Sequence, residues 1–257
     1  MSGMADARTP PRRRPGDVGR GRSGGPGGRP TGARAEGAVR RRASHSLESV
    51  VSEAVALLDE AGESALTFRA LAARLGGGVG SIYWYVSGKD ELVDLAGDHV
   101  IASVLAATEG RTHAEDPLDD VRALAVAFFD AVVVRPWLGA RFLGNTEQQP
   151  NGMLLYERLG QQVMRLGLPP RQSFEAVSAV LGFVVGTAAD LGRQPTPDGP
   201  ERDSGLEEHV EHWRALDEEQ FPFVHFVLDE FATHDDGEQF RAGLDLLLSG
   251  LRLQARG

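Results

Sequence analysis

Between Ser46 and Leu92 the chain packs three apolar-periodic segments into a short stretch and separates them with glycine. Leu47, Val50, Val51, Ala54, Val55 and Leu58 recur at helical spacing, with Ser46 as the N-cap and Gly62 as the stop. Thr67 then caps a segment carrying Phe68, Leu71, Ala72 and Leu75. Gly76-Gly77-Gly78 break that run, and a third segment follows over residues 79–85. Gly88 ends it, and Lys89 opens a longer helix to about Ala107. Helices this short are not stable singly in water, so the three must bury their apolar faces on one another. Two of them joined by a glycine turn describe a helix-turn-helix.

That geometry sends the second helix of the pair into a DNA major groove with its N-terminal residues at the base edges. Val79, Gly80 and Ser81 fall there. Gly80 permits close approach, and the Ser81 hydroxyl can donate to a phosphate or a base acceptor. Tyr83-Trp84-Tyr85 point in different directions on a helix, so at least one ring must be exposed. Such rings pack on sugar or a thymine methyl while O–H or N–H reaches phosphate. Lys89 is placed to meet a phosphate at a helix start, and Arg69 to lie across the backbone.

The rest of the chain reads as helix after helix, without a strand pattern or an internal repeat. Asp116-Pro117 starts a helix to about Arg135, where Pro136 interrupts it. Others are expected over about 151–166, 173–191, 218–233 and 238–255, the last with Asp235 and Glu238 as a capping box. Residues 173–191 are apolar nearly all round, which predicts burial. Residues 193–206 are rich in Pro, Gly and Asp and read as a loop. The fold class is therefore all-α: a disordered tail (1–44), a three-helix head (45–92) and a helical body (93–257).

Charge is divided unevenly. Residues 1–44 hold eleven arginines against three acids, a balance of +8, and the remainder holds 16 basic against 34 acidic residues, a balance of −18. The tail has too little apolar surface to offset the entropy of ordering it. Three readings of it stay open: a nucleic-acid-facing arm, the arginine bias of a GC-rich genome, or a start codon assigned upstream of Met4. Cysteine is absent, which excludes disulfides and thiolate chemistry. No run approaches the ~18 apolar residues of a membrane span, and no apolar segment follows the N-terminal arginines, so a cytoplasmic protein is expected.

The order Leu66-Thr67-Phe68-Arg69-x-Leu71-Ala72-x-x-Leu75-Gly76, then Ser81-Ile82-Tyr83-Trp84-Tyr85-Val86-x-x-Lys89-Asp90-Glu91-Leu92, closely resembles the tetracycline-repressor (TetR) family. Residues 135–138, 150–152 and 236–251 resemble, more weakly, the C-terminal domain of its tetracycline-repressor subgroup. The resemblance implies operator contacts at Arg69, Val79, Gly80, Ser81, Tyr83, Trp84, Tyr85 and Lys89. It implies an all-helical body that holds an effector and dimerises through its last long helices, with Gly243 and Gly250 allowing close approach. Gly77 departs from the pattern, because the family usually has Val or Ile there. Losing that contact is expected to loosen the turn by about 1–3 kcal/mol.

Phe128, Phe129, Trp137, Phe142, Asn145, Met153, Tyr156 and Phe183 are candidates to line an apolar effector site with few polar groups. Phe142 precedes Leu143-Gly144 where the magnesium–tetracycline type has a metal-binding His. No metal ligand and no cofactor is therefore expected, and a hydrophobic effector is. His209 and His212 lie among acids at loose spacing and read as a solvated loop. The chain lacks a P-loop, a Gly-x-Ser-x-Gly elbow and His-Glu-x-x-His, so an enzyme is not expected. The leading expectation is a ligand-responsive repressor that binds a palindromic operator as a homodimer. The alternative is a constitutive DNA-binding or architectural protein.

Overall fold

The computed structural model describes residues 45–110, 113–142, 144, 147, 149–191 and 200–256. The expected disorder of residues 1–44 lies outside them. By packing, the chain divides at Arg41/Arg42, and every described residue belongs to the second unit. Its eleven described helices are α1 (Leu47–Ala65), α2 (Phe68–Arg74), α3 (Val79–Ile82), α4 (Lys89–Ala107), α5 (Pro117–Val133), α6 (Pro136–Gly139), α7 (Pro150–Met164), α8 (Pro170–Leu191), α9 (Pro200–Arg214), α10 (Pro222–Thr233) and α11 (Asp236–Gln254). No strand occurs among the described residues, so the fold is all-α.

Local chemistry sets the helix ends. Ser46 caps α1 in a reciprocal box with Ser49, and Thr67 accepts from the Ala70 N–H at 3.1 Å to start α2. Asp116 accepts from the Leu118 N–H, and Pro117 occupies the first helical position of α5. Asp235 accepts from the Glu238 N–H at 2.7 Å and starts α11. Gly62, expected as a stop, takes φ 72° and kinks α1, which regains helical geometry to Ala65. Gly76 takes φ 69° after α2, the left-handed conformation that glycine adopts without steric cost.

Two apolar cores share α4. Leu92, Val93 and Ala96 pack with Val50, Leu58, Leu71, Ile82 and Val86 in the head. One turn on, Val100, Ile101, Val104 and Leu105 join α5, α7, α8 and α11 in the body. Core ownership therefore changes inside a continuous helix, and a rotation of α4 must be felt by both.

Three expectations are corrected. Residues 200–206 are not loop: α9 occupies 200–214, and His209 and His212 lie exposed on it. Its polar composition hid the spacing of Leu206, Val210 and Trp213, which meets α10; Trp213 stacks on Phe231 with ring centroids 4.0 Å apart. Second, α8, long and apolar enough by length and composition alone to cross a membrane, packs against α5, α7 and α11 in the body core. It is also not buried all round: Ala176, Val177, Val180, Leu181, Val184 and Ala188 form the buried stripe, and Phe174, Gly182 and Gly186 face outward. Third, Gly243 is not free for a second chain. A Cβ there would stand 2.5 Å from Phe183 Cζ, so this glycine lets α11 close on α8 within one chain, whereas Gly250 faces open space.

Candidate nucleic-acid interface

α3 is a single turn pinned from beneath and bare above. Ile82 and Val86 are fully buried in the head core, while Tyr83 is 60% and Trp84 86% exposed. The two rings thus form an exposed aromatic patch on the outer side of the head. Phe68 meets Tyr83 edge-on with centroids 4.8 Å apart, which fixes that ring's direction. Val79 and Gly80 are exposed beside them. Ser81 turns its hydroxyl back to the Gly78 carbonyl at 2.6 Å and is free to accept. Arg69 stands exposed on α2.

Tyr85 and Lys89 are placed differently. Tyr85 is half-buried, and its hydroxyl donates to the His45 carbonyl. Lys89 is half-buried, and its ammonium donates to the Glu63 carbonyl at the end of α1. Both therefore brace the head, and Lys89 keeps further N–H donors for a phosphate. Tertiary closure decides this, because neither partner is near in sequence. Gly77 is also explained: a Cβ there would lie 2.9 Å from His45 Nε2 and 3.2 Å from Ser81 Oγ. The His45 ring occupies the space that a larger residue would fill, so the turn is packed from outside and is not simply loosened.

The turn before α4 adds a cap that sequence reading passed over. Ser87 donates through both its N–H and its hydroxyl to Glu91 Oε2 at 2.6 Å. The hydroxyl bond first, then the backbone bond, holds the Glu91 carboxyl below its usual range.

A polar seam joins the head to α6 and the residues after it. Arg135 Nε donates to Asp59 Oδ2, and Trp137 Nε1 donates to Asp59 Oδ1, both at 3.0 Å. Arg141 donates to Glu63 at 2.7 Å and to Asp90 at 3.2 Å. Burial works against the Arg141 charge, yet hydrogen bonds from its guanidinium to Asp90 and Glu63 leave its pKa raised. Gln149 Nε2 donates to the Arg141 carbonyl at 2.7 Å, while its buried Oε1 has no hydrogen-bond partner.

Of the eight expected effector residues, Phe128, Phe129, Trp137, Phe142, Tyr156 and Phe183 belong to the core of the body. Phe128 meets Phe142 with centroids 4.4 Å apart, while Phe129, Phe240 and Phe183 stack in a separate row. Trp137 is turned to Asp59, Tyr156 is half-buried, and Met153 is 41% exposed. Asn145 lies outside the described residues. A groove of about 660 Å³ opens elsewhere, between α4, α5 and α11, with Thr108, Arg122, Asp130 and Arg241 in its wall. Among the described residues no group of three His, Asp or Glu is placed to hold a metal.

A glycine-turned reading helix, outward aromatics and a helical body on the same α4 define a DNA-binding regulator of the helix-turn-helix class. The sequence comparisons give its family. Residues 50–96 match "Bacterial regulatory proteins, tetR family", and residues 109–255 match "Tetracyclin repressor-like, C-terminal domain". The chain belongs to the TetR family of transcriptional regulators. It is 30% identical over 235 residues to the HTH-type transcriptional repressor DrrR1 of Streptomyces coeruleorubidus, covering 82% of this chain and 80% of that one. A solved TetR regulator of Streptomyces coelicolor shares 38% identity and superposes with a TM-score of 0.72, over 82% of this chain and 99% of the other. ActR of the same organism, solved with actinorhodin, has the same fold at 22% identity and a TM-score of 0.69, over 82% and 98%.

Proposed function

We propose that the protein is a ligand-responsive repressor that binds a two-fold symmetric operator as a homodimer. The observation that carries this is the outward pair Tyr83 and Trp84 on a reading helix whose other face is locked in the head core. Arg69, Val79, Gly80 and Ser81 extend that surface, and Tyr85 and Lys89 hold it in register. Selection of bound fragments from a random duplex pool tests the reading. A pair of inverted half-sites is expected, about one or a few helical turns apart. A pool with no enriched sequence refutes it.

The dimer reading is supported by α8 and α11. Leu246 and Leu253 are more than 70% exposed, and a groove lined by Ala176, Ala179, Val180, Leu247 and Gly250 runs between the two helices. A second copy laid across them would form a four-helix interface. The effector is proposed to be an apolar molecule that enters the body core beside the Phe128–Phe142 pair, near Phe129, Trp137, Tyr156 and Phe183. Displacing Phe142 moves its neighbour Arg141 and so strains the seam to Glu63 and Asp90. The effector then acts through its different affinity for the two head positions. Such a regulator works in the cytoplasm, where bacterial DNA is.

The tightly stacked aromatics favour a second reading, a constitutive DNA-binding protein whose body only dimerises. Thermal shift against a panel of aromatic metabolites separates the two. A compound that raises Tm and releases DNA supports sensing, and binding without release supports the constitutive reading.

A further inference from the structure

The start of α7 holds a polar group that the fold leaves half used. Gln149, the N-cap of α7, is only 3% exposed. Its Nε2 donates to the Arg141 carbonyl at 2.7 Å, and among the described residues nothing meets its buried Oε1. That carbonyl can only accept, so the amide nitrogen must face it, and the orientation of the side chain is fixed. The oxygen is therefore an acceptor that only a donor can satisfy. Native folds retain very few buried acceptors without a partner. The groups around it are well supplied: Asp98 takes the Asn151 N–H and Nδ2 and the Gly152 N–H, and the Arg141 carbonyl also accepts from the Gly144 N–H at 3.2 Å. The shortfall is confined to one atom.

That atom stands beside the aromatic groups of the body. The Arg141 carbonyl and the Phe142 N–H belong to one peptide unit, so Gln149 holds the backbone of Phe142 itself. The Phe142 ring meets Phe128 with centroids 4.4 Å apart, and both belong to the body core. On its other side Arg141 sends its guanidinium to Glu63 and Asp90 of the head. One residue thus has its carbonyl on Gln149 and its side chain on the head.

We propose that Gln149 is a specificity-determining residue of the effector site, and that the effector is an aromatic molecule whose hydroxyl or N–H donates to Gln149 Oε1. The inference rests on the reading that an apolar effector enters beside Phe128 and Phe142. The rings accept its flat body, and the single donor sets its orientation, the usual division of labour in a small-molecule site. An analogue without the donor shuts the acceptor away from water unpaired, and a site so built rejects it. The donor is read by the amide that holds the Arg141 carbonyl, so recognition and the seam to the head meet at one residue.

The test uses the full chain with β-naphthol and para-phenylphenol as probes, each beside its methyl ether, which keeps the rings and removes the donor. Dissociation constants are measured by isothermal titration calorimetry for the wild type, Gln149→Leu and Gln149→Asn, with helical circular dichroism as the check on folding. Each phenol is expected to bind the wild type about 10-fold tighter than its ether. In Gln149→Leu the ratio should fall to about one, through loss of phenol affinity. Gln149→Asn keeps an amide but draws its oxygen back by a methylene, so it should fold even where Leu does not and should also lose the preference. Equal affinity of phenol and ether for the wild type overturns the proposal, because water then serves the acceptor, and leaves the effector site standing. A preference that survives in either folded variant overturns it too, since another group then reads the hydroxyl. If neither probe nor ether binds, the site beside Phe142 is refuted and the role of Gln149 falls with it.

Discussion

Replacing Asp98 tests whether the body is organised by a carboxylate from a helix remote in sequence. Asp98 lies on α4, only 7% exposed, and accepts three hydrogen bonds at the start of α7. These come from the Asn151 N–H and Nδ2, each at 2.7 Å, and from the Gly152 N–H at 3.0 Å. α7 has no side-chain cap of its own at Gln149, so Asp98 serves as the cap from outside. Asp98→Ala leaves two backbone donors without an acceptor where water has little access. A bond to a charged group contributes about 1.5–3 kcal/mol, a lost cap costs about 0.5–2, and the terms overlap. A loss of about 3 kcal/mol is expected, and Tm should fall by about 6–12 °C for a chain of this size. Asp98→Asn keeps one acceptor oxygen and should cost about 1 kcal/mol. Urea unfolding followed by helical circular dichroism, at matched protein concentration, reads both variants. If Asp98→Ala lies within 0.5 kcal/mol of wild type, or if Asn is as damaging as Ala, the remote-cap reasoning fails.

Gly243→Val should destabilise by about 1–3 kcal/mol, because the added carbons must displace the Phe183 ring stacked over Phe240; a chemical melt that matches wild type would contradict the close approach of α11 to α8. A double-mutant cycle on Arg141→Ala and Glu63→Gln should show coupling of about 0.5–1 kcal/mol across the half-exposed pair. Additive losses would show that the seam does not tie the head to the body. Glu91 titrates below its ordinary value, so its contribution is present above the unfolded value of about 4.3 and disappears as pH falls through the lower folded value. Stability measured from pH 6 down to pH 3 should therefore fall less steeply in Glu91→Gln than in wild type, and parallel curves would rule out the Ser87–Glu91 cap as a source of acid sensitivity.

The helical class and the head were legible because their signals are local. Ser46, Thr67, Asp116 and Asp235 cap helices within a few residues of themselves, and each does so in the structure. Glycine punctuation at 76–78 and 88 works at the same range, since φ is a property of one residue, whereas Gly62 only kinks α1. α9 escaped because its apolar residues are few and gain meaning only against α10.

Placement of side chains was not legible. Tyr85 and Lys89 look like surface groups in a motif, yet tertiary closure gives them His45 and Glu63 as partners, 40 and 26 residues away. Phe128, Phe129, Phe142 and Phe183 are alike in the sequence, and packing sorts them into two separate stacks. Asp98 is an unremarkable acid until α7 arrives over it. By itself the sequence determined most of the helical segments, the residues that cap them, and that at least one ring of Tyr83-Trp84-Tyr85 must face out of the head. The tertiary structure alone decided which polar groups are used up inside the molecule, because hydrogen bonds and ring contacts between distant segments depend on distances of an ångström that no periodicity encodes.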